Sequence, residues 1–297
     1  MHTRRVPLKG VIAGVVTPFD SEGSVNWDEL RHVAESLSAS DADAICIGGF
    51  AGQMEGATPE EIFHACDIVS RSGNKPLAAI IYPDTDSEAI DLIHAVESGG
   101  ACAIFIAQPH YLSQPDPRGL IDMFARFRGQ TRLPILLSNC QKAAMIPVEL
   151  ITSMVSECAV DGILIGGDGI HQIVDLLCLH LEVPVFSAIE DLHYVCLLLG
   201  AHGFVSELAA AFPSEMADMY RAHLEGDHQR ARACHERFAR LWRALEHPSE
   251  QRARMRSVLN ALGGHPGLPR SPYNIGPRDG FPEVRAALER EQFIPAG

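Results

Sequence analysis

Eight short apolar runs recur along the chain, each followed by a longer segment in which apolar residues return every three or four positions. The runs are residues 10–18 (GVIAGVVTP), 42–49 (ADAICIGG), 76–83 (PLAAIIYP), 101–109 (ACAIFIAQP), 133–139 (LPILLSN), 160–167 (VDGILIGG), 183–189 (VPVFSAI) and 202–208 (HGFVSEL). They are continuous rather than alternating, so each predicted strand is buried on both faces, as in a parallel sheet covered by helical crossovers. The intervening pattern predicts helices over 26–39, 170–181 and 191–199, and helices opening at Thr58, Ser87 and Pro147. Thr58-Pro59-Glu60-Glu61 carries an N-cap, a proline at the first helical position and a capping-box glutamate.

Eight strand–helix units predict an α/β fold, a (β/α)8 barrel of the TIM type. A doubly wound open sheet would need a GxGxxG loop after an early strand, and GGFAGQ does not match it. Past Pro213 the strand pattern stops, and residues 214–224, 227–246, 249–263 and 281–291 read as helices. The expected organisation is a barrel over 1–225 and a C-terminal helical extension over 226–297, with the arginines of 230–256 on a solvated face.

Composition narrows the partners. The chain has 297 residues, 46% hydrophobic and 21% charged, an ordinary globular balance. A net charge of −14 argues against a nucleic-acid partner or an anionic membrane surface. No apolar run approaches the roughly 18 residues of a spanning helix. The eight scattered cysteines form no CxxC pair, which reads as small reduced hydrophobes in a cytoplasmic protein without a metal site. MHTRRVPLKG lacks the apolar stretch of a signal peptide. Only three lysines are present, Lys9, Lys75 and Lys142, so any lysine-based covalent mechanism must use one of them.

In a (β/α)8 barrel the chemistry sits at the C-terminal ends of the strands. Those ends carry Thr17 to Phe19, Gly49 to Gln53, Tyr82 to Asp84, Gln108 to Tyr111, Ser138 to Lys142, Leu164 to Asp168, Ala188 to Asp191, and Ser206 with Glu207. With GVVTPF at 14–19, GxxG at 49–52, PxY at 109–111, Asn139, LGAHGFVS at 199–206 and LPRSPY at 268–273, the chain resembles the dihydrodipicolinate synthase/N-acetylneuraminate lyase family. That resemblance covers residues 8 to 290 and implies a pyruvate-type class I aldolase scaffold, no cofactor, a small organic acid as ligand, and a homodimer or homotetramer.

Three departures change what the resemblance implies. The family's GTTGE, whose hydroxyls and amides hold the pyruvate carboxylate, is here Gly49-Phe50-Ala51-Gly52-Gln53. Its YNxP, whose tyrosine relays protons, is Ser138-Asn139-Cys140-Gln141, and the Schiff-base lysine of GIK is Leu164. Leucine can neither condense with a ketone nor form the iminium that stabilises a carbanion. Positioned acid–base groups supply roughly 10²–10⁴-fold, short of the 10⁶-fold or more that enzymes commonly reach.

The expected site residues are Tyr111, which the resemblance sends to a neighbouring subunit's site, and Ser138 for catalysis. For the ligand they are Gly49, Phe50, Ala51, Gly52, Asn139, Leu164, Gly166, Glu190 and Glu207. Further candidates are Lys142 as a relocated amine, Cys140 as a nucleophile near His110, and the free amides of Gly166 to Gly169, with Asp168 among them, for an anion. Glu190 and Glu207, with His193 and His110 as candidate neighbours, would form a carboxylate pair for acid–base work or for a divalent metal. Three functions stay open: a diverged lyase-type enzyme without a Schiff base at the usual position, an inactive homologue that binds a small molecule or partner, and an aldolase using Lys142.

Overall fold

The computed structural model describes residues 3–109, 116–141, 144–167, 169–273, 276–277 and 280–295. Eight parallel strands close a barrel in sequence order: β1 (Gly10–Gly14), β2 (Ala44–Ile47), β3 (Leu77–Ile81), β4 (Ala103–Ala107), β5 (Ile135–Asn139), β6 (Gly162–Gly166), β7 (Val185–Ala188) and β8 (Gly203–Ser206). The (β/α)8 expectation therefore holds, and each strand lies within its predicted run.

Two hydrophobic layers explain why the runs are continuous. On β4, Ala103 and Phe105 point into the barrel while Ile104 and Ile106 face the helices. The interior is filled by Ile12, Ile80, Phe105, Leu136, Leu164 and Phe186, with the Phe105 and Phe186 rings meeting edge-on, centroids 6.3 Å apart. Each such buried side chain is worth roughly 1.5–3 kcal/mol of transfer free energy. The barrel is a packed core rather than a pore.

The helices that follow the eight strands are α1 (Trp27–Ala39), α2 (Pro59–Arg71), α3 (Asp86–Ser98), α4 (Pro117–Arg128), α5 (Val148–Ser156), α6 (Ile170–Cys178), α7 (His193–Leu198) and α8 (Pro213–Leu224). The capping box of α2 forms as predicted, with Thr58 and Glu61 satisfying each other's backbone amides. The pattern above does not predict α4, although Asp116 caps it and Pro117 opens it in the same way.

Beyond the barrel lie α9 (His228–Leu245), α10 (Gln251–Ala261) and α11 (Pro282–Arg290). The solvated face predicted for the arginines of 230–256 holds for Arg232 and Arg243, whose side chains are exposed. It fails on α10, where Arg252 and Arg256 are buried. They point toward the β2–α2 loop, which needs donors for its turned-out carbonyls.

Candidate active site at the C-terminal mouth of the barrel

Period-2 alternation carries a defined set of side chains up the inside of the barrel. On β5 the inward column is Leu136 and Ser138, followed by Cys140; on β6 it is Gly162, Leu164 and Gly166. Leu164 is fully buried, opposite Ser138 on one side and Phe186 on the other. The position that the family resemblance gives to an amine is thus a hydrocarbon packed into the core.

Ser138 is buried, and its hydroxyl makes no hydrogen bond of ordinary geometry. Burial pushes the Cys140 thiol up to about 12, which keeps it protonated at neutral pH and removes the thiolate a nucleophile needs. Gly166 is required by that neighbour, because a Cβ there would lie 2.8 Å from Cys140 Sγ.

Tyr82 follows β3 in phase with Ala78 and Ile80 and belongs to the same interior cluster. Desolvation, with Cys140, Glu55, Cys46 and Glu207 nearby, pushes its hydroxyl well above the ordinary tyrosine value. Tyr82 lies in a predicted strand-end segment but is not among the expected site residues. Its phase with Ile80 is the signal that identifies it.

The β2–α2 loop forms one short turn, Phe50–Gly52, with Ala51 and Gly52 buried and Phe50 44% exposed. The Ala51 amide donates to Glu207 Oε1 at 2.5 Å. Burial and the neighbouring Glu190 push the Glu207 carboxyl up to about 8, against smaller opposing pulls from the Ala51 amide and Arg252. Glu207 is therefore mostly protonated at neutral pH, a carboxyl able to give or take a proton.

Glu190 has a different role. Its Oε1 accepts from the Glu207 amide, and its Oε2 accepts from Ser206 Oγ at 2.7 Å and faces His193 Nε2 at 3.2 Å. His193 in turn stacks on Phe204, with centroids 4.3 Å apart, and its Nδ1 meets Ser187 Oγ at 3.2 Å. This chain of contacts braces the ends of β7 and β8, leaving Glu190 acting on the mouth through its charge.

Asn139 lies on the outward face of β5. Its amide donates to Ile146 O and Gln172 Oε1, and its Oδ1 accepts from Ile146 N, so it clamps the loop before α5. The structure does not bring it to the interior with Ser138 and Leu164. Tyr111, His110, Lys142 and Asp168 lie outside the described residues. Lys75 donates to Ala42 O at the opposite, N-terminal end of the barrel.

The extension supplies residues that motif spacing does not reveal. Arg252 donates to Phe50 O at 2.9 Å and pairs with Glu55 at 2.5 Å, sandwiched between the Phe50 and Tyr273 rings at 3.9 and 3.6 Å. Arg256 donates to Thr17 O at 2.8 Å. Both therefore hold the strand-end loops in place. Among the described residues, no cluster of three or more His, Cys, Asp or Glu side chains is arranged to hold a metal, and no helix is long and apolar enough to cross a membrane.

Comparison with known proteins agrees with this architecture. The chain is 30% identical over 242 residues to the 4-hydroxy-tetrahydrodipicolinate synthase of Methanothrix thermoacetophila, covering 80% of this chain and 82% of that one. Its fold matches the crystal structure of dihydrodipicolinate synthase from Aquifex aeolicus with a TM-score of 0.86 at 24% identity, over 96% of this chain and 98% of that one. It also matches N-acetylneuraminate lyase from Mycoplasma synoviae with a TM-score of 0.82 at 17% identity, over 96% and 97% of the two chains. Residues 7–291 match the dihydrodipicolinate synthetase family, and a match across nearly the whole barrel and extension means that the chain belongs to that family.

Proposed function

We propose that this protein is a diverged lyase-type enzyme that acts on a small oxo- or hydroxy-acid without a Schiff base on β6. The observation that carries this reading is the Glu207 carboxyl at the barrel mouth, pushed up to about 8 by burial and by Glu190. A group whose pKa lies near the working pH is the most effective proton carrier. In its ionised form Glu207 removes a proton from the carbon beside the oxo group; a hydroxyl on the next carbon then leaves as water, taking that proton from Glu207, so that a C–H and a C–O bond are broken and a C=C bond is formed. The hydroxyls of Tyr82 and Ser138 are the donors available to the oxygen on which negative charge develops. In this role Leu164 and Phe186 keep the site dry, which strengthens each of those interactions.

A second reading rests on the contact between Ala51 N and Glu207 Oε1. In the family resemblance, amides of this loop hold the substrate carboxylate, and here the protein's own carboxyl takes one of them. That favours an inactive homologue that binds a small molecule or partner protein. A Schiff-base aldolase using Lys142 is the third reading. In all three we propose a homo-oligomer, supported by the exposed apolar side chains of Val195 and Leu198 on α7 and of Leu199, which caps it.

One experiment separates the readings. The protein is incubated in D2O with a panel of 2-oxo and 2-hydroxy acids, and deuterium entry beside the oxo or hydroxyl carbon is followed by NMR. Parallel samples receive borohydride and are weighed by mass spectrometry. The diverged enzyme exchanges deuterium with at least one acid, gives no borohydride adduct, and loses about 10²–10⁴-fold of its rate in Glu207→Gln. Absence of exchange with every acid would favour the inactive homologue. An adduct mapping to Lys142 would restore imine chemistry.

A further inference from the structure

A cavity of about 660 Å3 opens among α10, α11 and residues 267–269, 276–277 and 280–281 between them. Its polar wall includes Arg256, Ser257 and Asn260, and its apolar wall includes Leu268, Phe281 and Leu288. The volume is in the range that holds a small organic ligand. None of these residues belongs to the barrel interior described above.

Arg256 makes this cavity chemically specific. It is 2% exposed, and its Nη2 donates to Thr17 O at 2.8 Å. Its Nη1 makes only long contacts, 3.4 Å to Ala51 O and 3.3 Å to Arg252 O. Its Nε is buried without an acceptor. The other arginines of α10 are paired, Arg252 with Glu55, and Arg254 with Glu250 and Glu283. Among the described residues no carboxylate forms an ion pair with Arg256. Burial and the nearby Arg252 push its guanidinium down to about 9, against a smaller opposing pull from Glu207. A buried cation without a counter-ion is costly, and an anion on the cavity wall would relieve that cost.

We propose that this cavity is a second ligand site, separate from the barrel mouth, that binds a small organic monocarboxylate. The carboxylate sits on Arg256 and the apolar body lies against Leu268, Phe281 and Leu288. One buried guanidinium balances one negative charge. A phosphate dianion would leave a charge uncompensated by any buried cation, since the other cation on the wall, Arg285, is solvent-exposed and screened, paired with Glu289 at 2.9 Å. The contacts from Arg256 to Thr17 and Ala51 connect the cavity with the loops of the mouth.

Sodium benzoate is the probe, with benzamide as its neutral isostere and inorganic phosphate as the alternative anion, all read by titration calorimetry at fixed ionic strength. Benzoate is expected to bind one per chain, about tenfold or more tighter than benzamide or phosphate. Arg256→Gln should weaken it about tenfold or more. Because that variant removes donors from two loop carbonyls and risks misfolding, Asn260→Trp serves as the second: it obstructs the cavity from an exposed position and leaves Arg256 in place. It should weaken benzoate to a similar degree, while Glu207→Gln at the mouth, which removes only a distant charge from Arg256, should change it less than about threefold. The proposal is overturned if benzoate gives no binding, if benzamide or phosphate binds as well, or if Glu207→Gln abolishes binding and Asn260→Trp does not.

Discussion

Glu207 is the residue on which the site's chemistry and the fold's pH dependence meet. Its carboxyl is pushed up to about 8 in the folded chain, against an ordinary value of 4.5. Between those values the native state holds a proton that the unfolded chain has released. The stability conferred by protonated Glu207 is thus complete below the ordinary value, declines as pH rises through the window, and levels off above about 8. Glu207→Gln has no proton to lose, so its stability relative to wild type should rise from pH 5 to pH 9. Each kcal/mol is worth roughly 2 °C in a chain of this size, and melting curves should show the difference shifting by at least about 2 °C. A constant difference across that range would place the Glu207 titration elsewhere. At this scale the sequence is legible unevenly. Leu164 and Ser138 stand out because they occupy motif positions of the family that the chain resembles, and the strand phase in the structure puts both inside the barrel. The outward clamp made by Asn139 and the bracing contacts of Glu190 depend on Ile146, Gln172, Ser206 and His193, partners that no spacing rule brings together.

Secondary-structure elements follow from burial, and they are legible wherever burial leaves a pattern. Every strand is legible because both its faces are apolar, one against the interior and one against the helices. Buried arginines leave no such mark, and Arg252 and Arg256 look from the sequence like the exposed arginines of α9. The burial of Arg252 is compensated by the Phe50 carbonyl and the Glu55 carboxylate of the β2–α2 region, about two hundred residues away along the chain, while Arg256 reaches only the carbonyls of Thr17 and Ala51. Arg252→Ala should therefore cost about 2–4 kcal/mol, since it deletes a largely buried ion-pair partner and two ring contacts at once. Urea unfolding measures this, and a double-mutant cycle with Glu55→Gln should return a coupling of about 1 kcal/mol or more. A cost within about 0.5 kcal/mol of zero, as for an ordinary surface residue, would mean that α10 does not hold the loop.

The whole molecule presents one more surface to account for. Val195, Leu198 and Leu199 are exposed at 37%, 51% and 42%; the first two lie on the short α7, Leu199 caps its C-terminus, and the opposite face buries His193, Tyr194, Cys196 and Leu197. Their spacing of three and four places them on one side of the helix. Isolated exposed leucines are normal, but a grouped apolar stripe marks a surface that association would cover. A two-fold contact is the simplest closed arrangement, because one stripe then covers its own copy. Sedimentation at micromolar concentration should give at least twice the chain mass of 32.3 kDa. Leu198→Asp would put a charge in the middle of that contact and should at least halve the assembly mass. Its effect on the stability of the isolated chain should be small, because the side chain is half-exposed. If the wild-type protein sediments as a single chain, the stripe is ordinary surface and no second copy is needed to complete the molecule.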